Sequence, residues 1–241
     1  MSIKKHIPNI ITLLNLLSGC FALIFAFQEQ FELTFYFVCL GIFLDFFDGF
    51  FARLYNVSSP LGLQLDSLAD MVTSGVVPGT VMYFMLLNAL QSPEISCWNP
   101  DFWLACFGFI ITLASCYRLA NFNIDTRQSD SFIGLPTPAN ALFILSLPLV
   151  IQHTESLILL ELLTNTWVLI AISILSAYLL NAEIPLFSLK IKNFSFQKYA
   201  LQIGFVIYSI LLLLFLRYLA VPLIILSYVI LSILHTRFSK S

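Results

Sequence analysis

Residues 45–70 read DFFDGFFARLYNVSSPLGLQLDSLAD, placing Asp45, Asp48, Asp66 and Asp70 inside two otherwise apolar runs. Ionised groups at membrane depth are costly, and they usually face a cavity or a partner. On a helix, Asp45, Asp48, Gly49, Ala52 and Arg53 fall within one sector of about 140°. Asp66 and Asp70 share a face one turn apart, with Gly62 one turn before them. Ser59 suits a helix N-cap and Pro60 the first helical position. The link between the two runs is therefore short and the helices antiparallel. Counted back from the link, Asp48 is level with Asp66 and Asp45 with Asp70. At ~1.5 Å per residue all four lie roughly 9–17 Å from the turn. The spacing predicts that the four carboxylates converge just below one membrane surface.

Such a cluster would repel itself without a counter-ion. Arg53 alone cannot neutralise four aspartates, which argues against a purely structural salt-bridge network. A divalent cation resolves the repulsion. All-oxygen ligands suit Mg²⁺ or Mn²⁺, and two ions can share the site. Gly49 and Ala52 leave room on the carboxylate face for a ligand. Arg53 can hold a phosphate through two parallel hydrogen bonds. A cation or proton pathway also uses intramembrane carboxylates, but such sites favour the bilayer midplane and interrupted helices in paired halves. This cluster is off-centre, in continuous runs, without a second copy.

The rest of the chain fits a membrane setting. Of its 241 residues 59% are hydrophobic and 10% charged, with mean hydropathy +0.94. A soluble domain carries about 25% charged residues. The net charge of −2 points away from a nucleic-acid partner. Five cysteines without CxxC spacing make neither a disulfide framework nor a zinc site, and His6, His153 and His235 stand alone. Lys4, Lys5 and His6 precede an apolar run with no small-residue cleavage site, so a retained first helix is expected. Eight apolar segments suggest an all-α, polytopic transmembrane bundle: 9–28, 32–55, 63–89, 102–120, 138–153, 160–180, 199–216 and 219–236. With a cytosolic N-terminus, ten of eleven Lys and Arg residues fall on the cytosolic side and only Arg217 outside, the pattern that sets orientation. The outer loops then hold Glu29, Glu32, Glu94, Asp101, Glu155 and Glu161. The basic stretch 181–198 reads as a loop along the headgroups. It separates an expected catalytic membrane core, 1–185, from a C-terminal helix pair, 186–241.

The pattern Asp45-x2-Asp48-Gly49-x2-Ala52-Arg53-x8-Gly62-x3-Asp66-x3-Asp70 resembles the complete signature of the CDP-alcohol phosphotransferases. That resemblance implies an enzyme that displaces CMP from a CDP-linked substrate, with metals on the four aspartates and Asp70 as general base. Asn9, Thr12, Asn15 and Gly19 resemble the polar stripe of the family's first helix. Thr12 and Asn15, with Gly49, Ala52, Arg53 and Gly62, are thereby implied in CDP-lipid binding. The segments Asp66-Ser-Leu-Ala-Asp70, Arg118-Leu-Ala, Asn121-Phe-Asn123, Phe132-Ile-Gly-Leu-Pro-Thr-Pro-Ala139 and Glu183-Ile-Pro-Leu-Phe-Ser-Leu-Lys190 resemble the membrane-integral phosphatidylserine synthase branch. This implies transfer of a phosphatidyl group from CDP-diacylglycerol to L-serine, giving phosphatidylserine and CMP. Arg118, Asn121 and Asn123 would then contact the acceptor or a phosphate, although many relatives carry Arg where Asn121 stands. The same resemblance implies a homodimer in a bacterial inner membrane with its active site facing the cytosol. Sister enzymes use glycerol phosphate or inositol phosphate as acceptor, and such substrates want more cations. Arg53, Arg118 and Arg127 are the only cations in the two central cytosolic loops, which favours the amino acid.

Overall fold

A computed structural model of the chain describes residues 6–57, 59–91, 97–125, 132–186 and 200–239. Eleven α-helices make up almost all of it: α1 (Ile7–Phe27), α2 (Phe31–Tyr55), α3 (Pro60–Asp70), α4 (Val77–Ala89), α5 (Pro100–Ala105), α6 (Ile110–Ile124), α7 (Thr137–His153), α8 (Leu157–Leu163), α9 (Thr166–Asn181), α10 (Ala200–Leu216) and α11 (Ala220–Ser239). The all-helical expectation holds apart from one two-residue pairing, in which β1 (Phe132–Ile133) runs antiparallel to β2 (Pro185–Leu186).

Left-handed residues mark the reversals. Glu29, Asn56, Gln91 and Arg217 have φ of 55°, 52°, 52° and 48°, and one such residue is enough to end a helix and turn the chain. After Asn56 the Ser59 hydroxyl accepts from the Gly62 amide at 3.0 Å, and Pro60 occupies the first turn of α3. The α2–α3 link is thus built by the cap and proline that the sequence offers.

Polar contacts define the two ends of the bundle. At one end Asn88 Nδ2 donates to Glu29 at 2.8 Å, His153 Nε2 lies 3.3 Å from Glu32, and Tyr218 meets both Glu32 and Tyr36. The exposed rings of Trp98, Trp103 and Trp167 begin the helices that start from this end, consistent with an interfacial aromatic belt. The aspartates and Arg118 lie toward the other end.

Helix α4 is the axis of the packing. Every residue from Val77 to Leu87 is buried, as suits a segment apolar on all sides. Gly108 lets the turn before α6 touch it, since a Cβ there would stand 2.6 Å from the Tyr83 nitrogen. Around this core, large apolar side chains such as Leu113 and Phe215 are exposed, where lipid is the solvent.

Between α3 and α4 the helix continues through a π-helical segment, Met71–Val76. Pro78 explains the widening. It has no amide hydrogen to give to the Ser74 carbonyl, and its ring would press on that carbonyl in a regular helix. The Thr112 hydroxyl reaches across from α6 and donates to the Gly75 carbonyl at 2.9 Å.

Five helical segments are long and apolar enough to cross a membrane, or six if α8 and α9 form one bent span. These apolar helices make the chain an integral membrane protein. The expected count of eight is not confirmed by this measure. The expected span 138–153 is α7, with 17 residues. The expected span 160–180 is broken, because α8 and α9 meet at 68° where Asn165 caps α9 by accepting from the Trp167 and Val168 amides. The expected spans 199–216 and 219–236 correspond to α10 and α11, which a short 3₁₀ turn at Arg217–Leu219 joins. The two do not form one straight helix. The Phe205 and Tyr228 rings are 5.7 Å apart, whereas a straight helix would separate them by roughly 35 Å. The chain folds back at Arg217, and α11 packs Ile225 and Val229 against Leu135 and Leu186. Of the basic loop expected at 181–198, residues 187–198 lie outside the described residues, as do Lys4, Lys5, Glu94, Arg127 and Lys240.

The alternation of ends has a direct test. In variants that each keep a single cysteine, Val57→Cys and the native Cys97 should react with a membrane-impermeant maleimide from opposite sides of the membrane. Labelling of both from one side would contradict the arrangement.

Candidate active site

Asp45, Asp48 and Asp66 each offer a carboxylate oxygen, and these oxygens lie within 4.8 Å of one another. Two unit negative charges at that separation repel by roughly 3 kcal/mol at an effective dielectric of 20. Three such pairs total about 10 kcal/mol, as much as the stability of a whole domain. Among the described residues no lysine or arginine pairs with any of the four aspartates. The donor set therefore fits a hard divalent cation, which takes oxygen ligands and removes the repulsion. Asp70 falls outside the tight trio but lines a cavity together with Asp45 and Asp66.

Helix α1 supplies one hydrogen-bond donor to each of two aspartates. The Thr12 hydroxyl donates to Asp48 Oδ2 at 2.5 Å, and Asn15 Nδ2 donates to Asp70 Oδ1 at 3.3 Å. The two donors are three residues apart, so they stand one above the other on the α1 face that meets α2 and α3. Thr12 also borders a cavity. Asn15 is fully buried and lines neither cavity beside the cluster. The structure thus places Asn15, expected among the CDP-lipid residues, against an aspartate behind the cavity wall.

The cluster stands between two cavities that share Asp66. The first, about 180 Å³, is lined by Asn9, Thr12, Asp48, Gly49, Ala52 and Gly62 among others. The small residues on the carboxylate face leave this space open. A Cβ on Gly62 would come within 3.3 Å of Asn9 Oδ1 and Ser59 Oγ. Arg53 is exposed one turn from Gly49. The second cavity, about 260 Å³, is lined by Asp45, Asp66, Ser67, Asp70, Arg118, Phe122 and the first turn of α7 at Thr137 and Pro138. A third, about 350 Å³, lies beyond Arg118 and is bordered by Asn121, Asp125, Asn181 and Glu183.

Arg118 connects the second and third cavities. It is buried, and its guanidinium donates to the carbonyls of Ile133 at 3.0 Å, Leu180 at 3.3 Å and Gly134 at 3.3 Å. Arginine has five N–H donors, so these three bonds leave two. The side chain fastens the β1 segment and the end of α9 beside the site. Gly134 is required there. Its φ is +75°, and a Cβ would lie 2.6 Å from the Leu180 carbonyl oxygen. The residues expected beside Arg118 separate. Asn123 Nδ2 donates to Ser67 Oγ at 2.9 Å, tying α6 to α3 next to Asp66, while Asn121 borders the third cavity and not the second.

Ser67, Thr73 and Thr137 were not singled out from the sequence, although Ser67 and Thr137 lie inside two of the segments quoted above. Ser67 and Thr73 carried a readable signal. Each is a polar residue in the apolar run that holds Asp66 and Asp70, and Thr73 continues their face three residues on. Thr137 adjoins the second cavity only because β1 and Arg118 bring the start of α7 there.

Comparison with known proteins agrees with this geometry. A sequence model of the family described as CDP-alcohol phosphatidyltransferase matches residues 5–179. A Bacillus subtilis protein named CDP-diacylglycerol–serine O-phosphatidyltransferase is 34% identical over 134 residues, covering 56% of this chain and 70% of that protein. Proteins of the same name from Helicobacter pylori and Saccharomyces cerevisiae are 33% and 30% identical over 57% and 59% of this chain. The chain spans about half the length of these two, 54% and 53%. With its aspartate motif and the matched span together, the chain belongs to the CDP-alcohol phosphatidyltransferase family.

Proposed function

We propose that this protein transfers a phosphatidyl group from CDP-diacylglycerol to L-serine, producing phosphatidylserine and CMP. The observation that carries the proposal is the trio of carboxylates between two cavities in a chain whose curated relatives bear that activity in their names. The cavity at Gly49, Ala52 and Gly62 suits the CDP moiety, with Arg53 at its mouth for a phosphate. The cavity at Asp70 and Arg118 suits the acceptor. Asp45, Asp48 and Asp66, with Asp70 alongside, would hold Mg²⁺ or Mn²⁺, and the number of oxygen donors suits two ions. Bound there, the metal would neutralise the pyrophosphate and the departing CMP.

The remaining chemistry belongs to the chain's own residues. Asp70 takes the proton from the serine hydroxyl, and the oxygen attacks the lipid-side phosphorus as the bond to CMP breaks. The donors of Arg118 not held by backbone carbonyls meet the serine carboxylate, and polar or acidic groups nearby receive its ammonium. Acyl chains stay in the bilayer while CDP and serine arrive from the cytosol. That sidedness rests on the asymmetry of Lys and Arg along the sequence and fits a bacterial inner membrane. Residues 1–185 form the catalytic core, residues 186–241 a C-terminal helix pair, and the working unit is a homodimer.

An acceptor screen with labelled CDP-diacylglycerol tests the assignment. Serine should be converted faster than glycerol phosphate or inositol phosphate, and the reverse order would overturn the choice of acceptor. Turnover should stop in EDTA and return with Mg²⁺ or Mn²⁺. Asp45→Asn, Asp48→Asn and Asp66→Asn should each lose roughly two orders of magnitude or more in rate while still inserting into the membrane. Full turnover in chelator would contradict the metal role. Arg118→Lys keeps the charge but loses the planar fork. It should raise the KM for serine more than that for CDP-diacylglycerol, and equal changes in both would argue against a carboxylate contact.

A further inference from the structure

Thr73 lies one turn beyond Asp70, in the π-helical segment, and is fully buried. It touches no cavity described above. Its hydroxyl donates to Asn15 Oδ1 at 2.9 Å and lies 3.3 Å from the Asn15 backbone carbonyl. The Asn15 NH₂ group faces the Asp70 carboxylate, which only accepts when ionised, at 3.3 Å. The Thr73 hydroxyl donates to the opposite side of the same amide and holds it in that orientation.

The space around Thr73 is built for this residue. A Cβ on Gly19 of α1 would come within 2.6 Å of the Thr73 hydroxyl oxygen, and one on Gly41 of α2 within 2.7 Å of its methyl group and 2.8 Å of Asn15 Oδ1. Two glycines on two helices thus form a socket with one side for the hydroxyl and the other for the methyl. A β-branched side chain has few rotamers, and the socket leaves this one no room to turn.

We propose that Thr73 is a positioning residue that acts through Asn15 to fix the carboxylate of Asp70. The inference rests on the reading of Asp70 as the group that takes the serine proton. A base that has lost its orientation still sits in an intact binding site, so the deficit should fall on turnover and not on substrate binding. Thr73 reaches no substrate itself.

The test is the steady-state kinetics of the full-length protein in mixed micelles of detergent, CDP-diacylglycerol and phospholipid, with thermal stability measured alongside. Thr73→Val keeps the shape and removes the donor. It should lower kcat by roughly 10- to 100-fold, with both KM values changed by no more than about twofold. Thr73→Ser keeps the donor and loses the methyl, so it should recover most of kcat while losing stability. In an Asn15→Leu background Thr73→Val should cost nothing further, because the two act in series. If Thr73→Val does not accumulate in the membrane, Thr73→Ala compared with Thr73→Ser gives the same contrast. A wild-type kcat in Thr73→Val, or equal kcat in Thr73→Ala and Thr73→Ser, overturns the inference while an inactive Asp70→Asn leaves the underlying reading intact. An active Asp70→Asn removes that reading itself.

Discussion

Three carboxylate oxygens within 4.8 Å of one another, in helices surrounded by hydrocarbon, set the terms for everything around them. Their mutual repulsion is of the same order as the stability of a domain. A fold that brings them together must supply strong packing elsewhere and must leave a place for positive charge. The buried stretch of α4 from Val77 to Leu87 supplies the first. The absence of any Lys or Arg partner among the described residues, together with two flanking cavities, leaves the second to a cation and an anionic substrate.

The carboxylates are held from outside their own helices. Thr12 and Asn15 on α1 each bond to one aspartate, Asn123 on α6 fastens Ser67, and Arg118 ties β1 and the end of α9 beside the second cavity. Glycines make these approaches possible where α1 and α2 meet the π-helical segment. The site is thus rigid on the side of the first three helices. Its other wall depends on one buried guanidinium and one left-handed glycine.

Much of this was legible in the amino-acid pattern, for a physical reason. Asp45 with Asp48 and Asp66 with Asp70 lie at helical spacings, and Ser59 and Pro60 mark a short link, so local geometry alone brings three of the four together with Asp70 alongside. The contacts of Arg118 were not legible. A lone arginine near a helix end looks alike whether it binds a ligand or three backbone carbonyls, and only the tertiary fold decides. The π-helical turn could be suspected from Pro78 but not placed. The 68° break at Asn165 went unread although Thr164, Asn165 and Thr166 interrupt the apolar run with an N-cap signal. The pairing of Phe132–Ile133 with Pro185–Leu186 is too short to show any period. The sequence separated the apolar runs 199–216 and 219–236 at Arg217, and the structure turns the chain there through a left-handed residue.

A divalent-metal site at Asp45, Asp48 and Asp66 can be tested by Mn²⁺ binding. Electron paramagnetic resonance of Mn²⁺ titrated into the purified protein measures this without reference to turnover. The wild-type protein should remove the free Mn²⁺ signal until its sites are filled, and a variant with all three residues changed to Asn should leave the signal at its protein-free level. Equal Mn²⁺ uptake by the two proteins would contradict it.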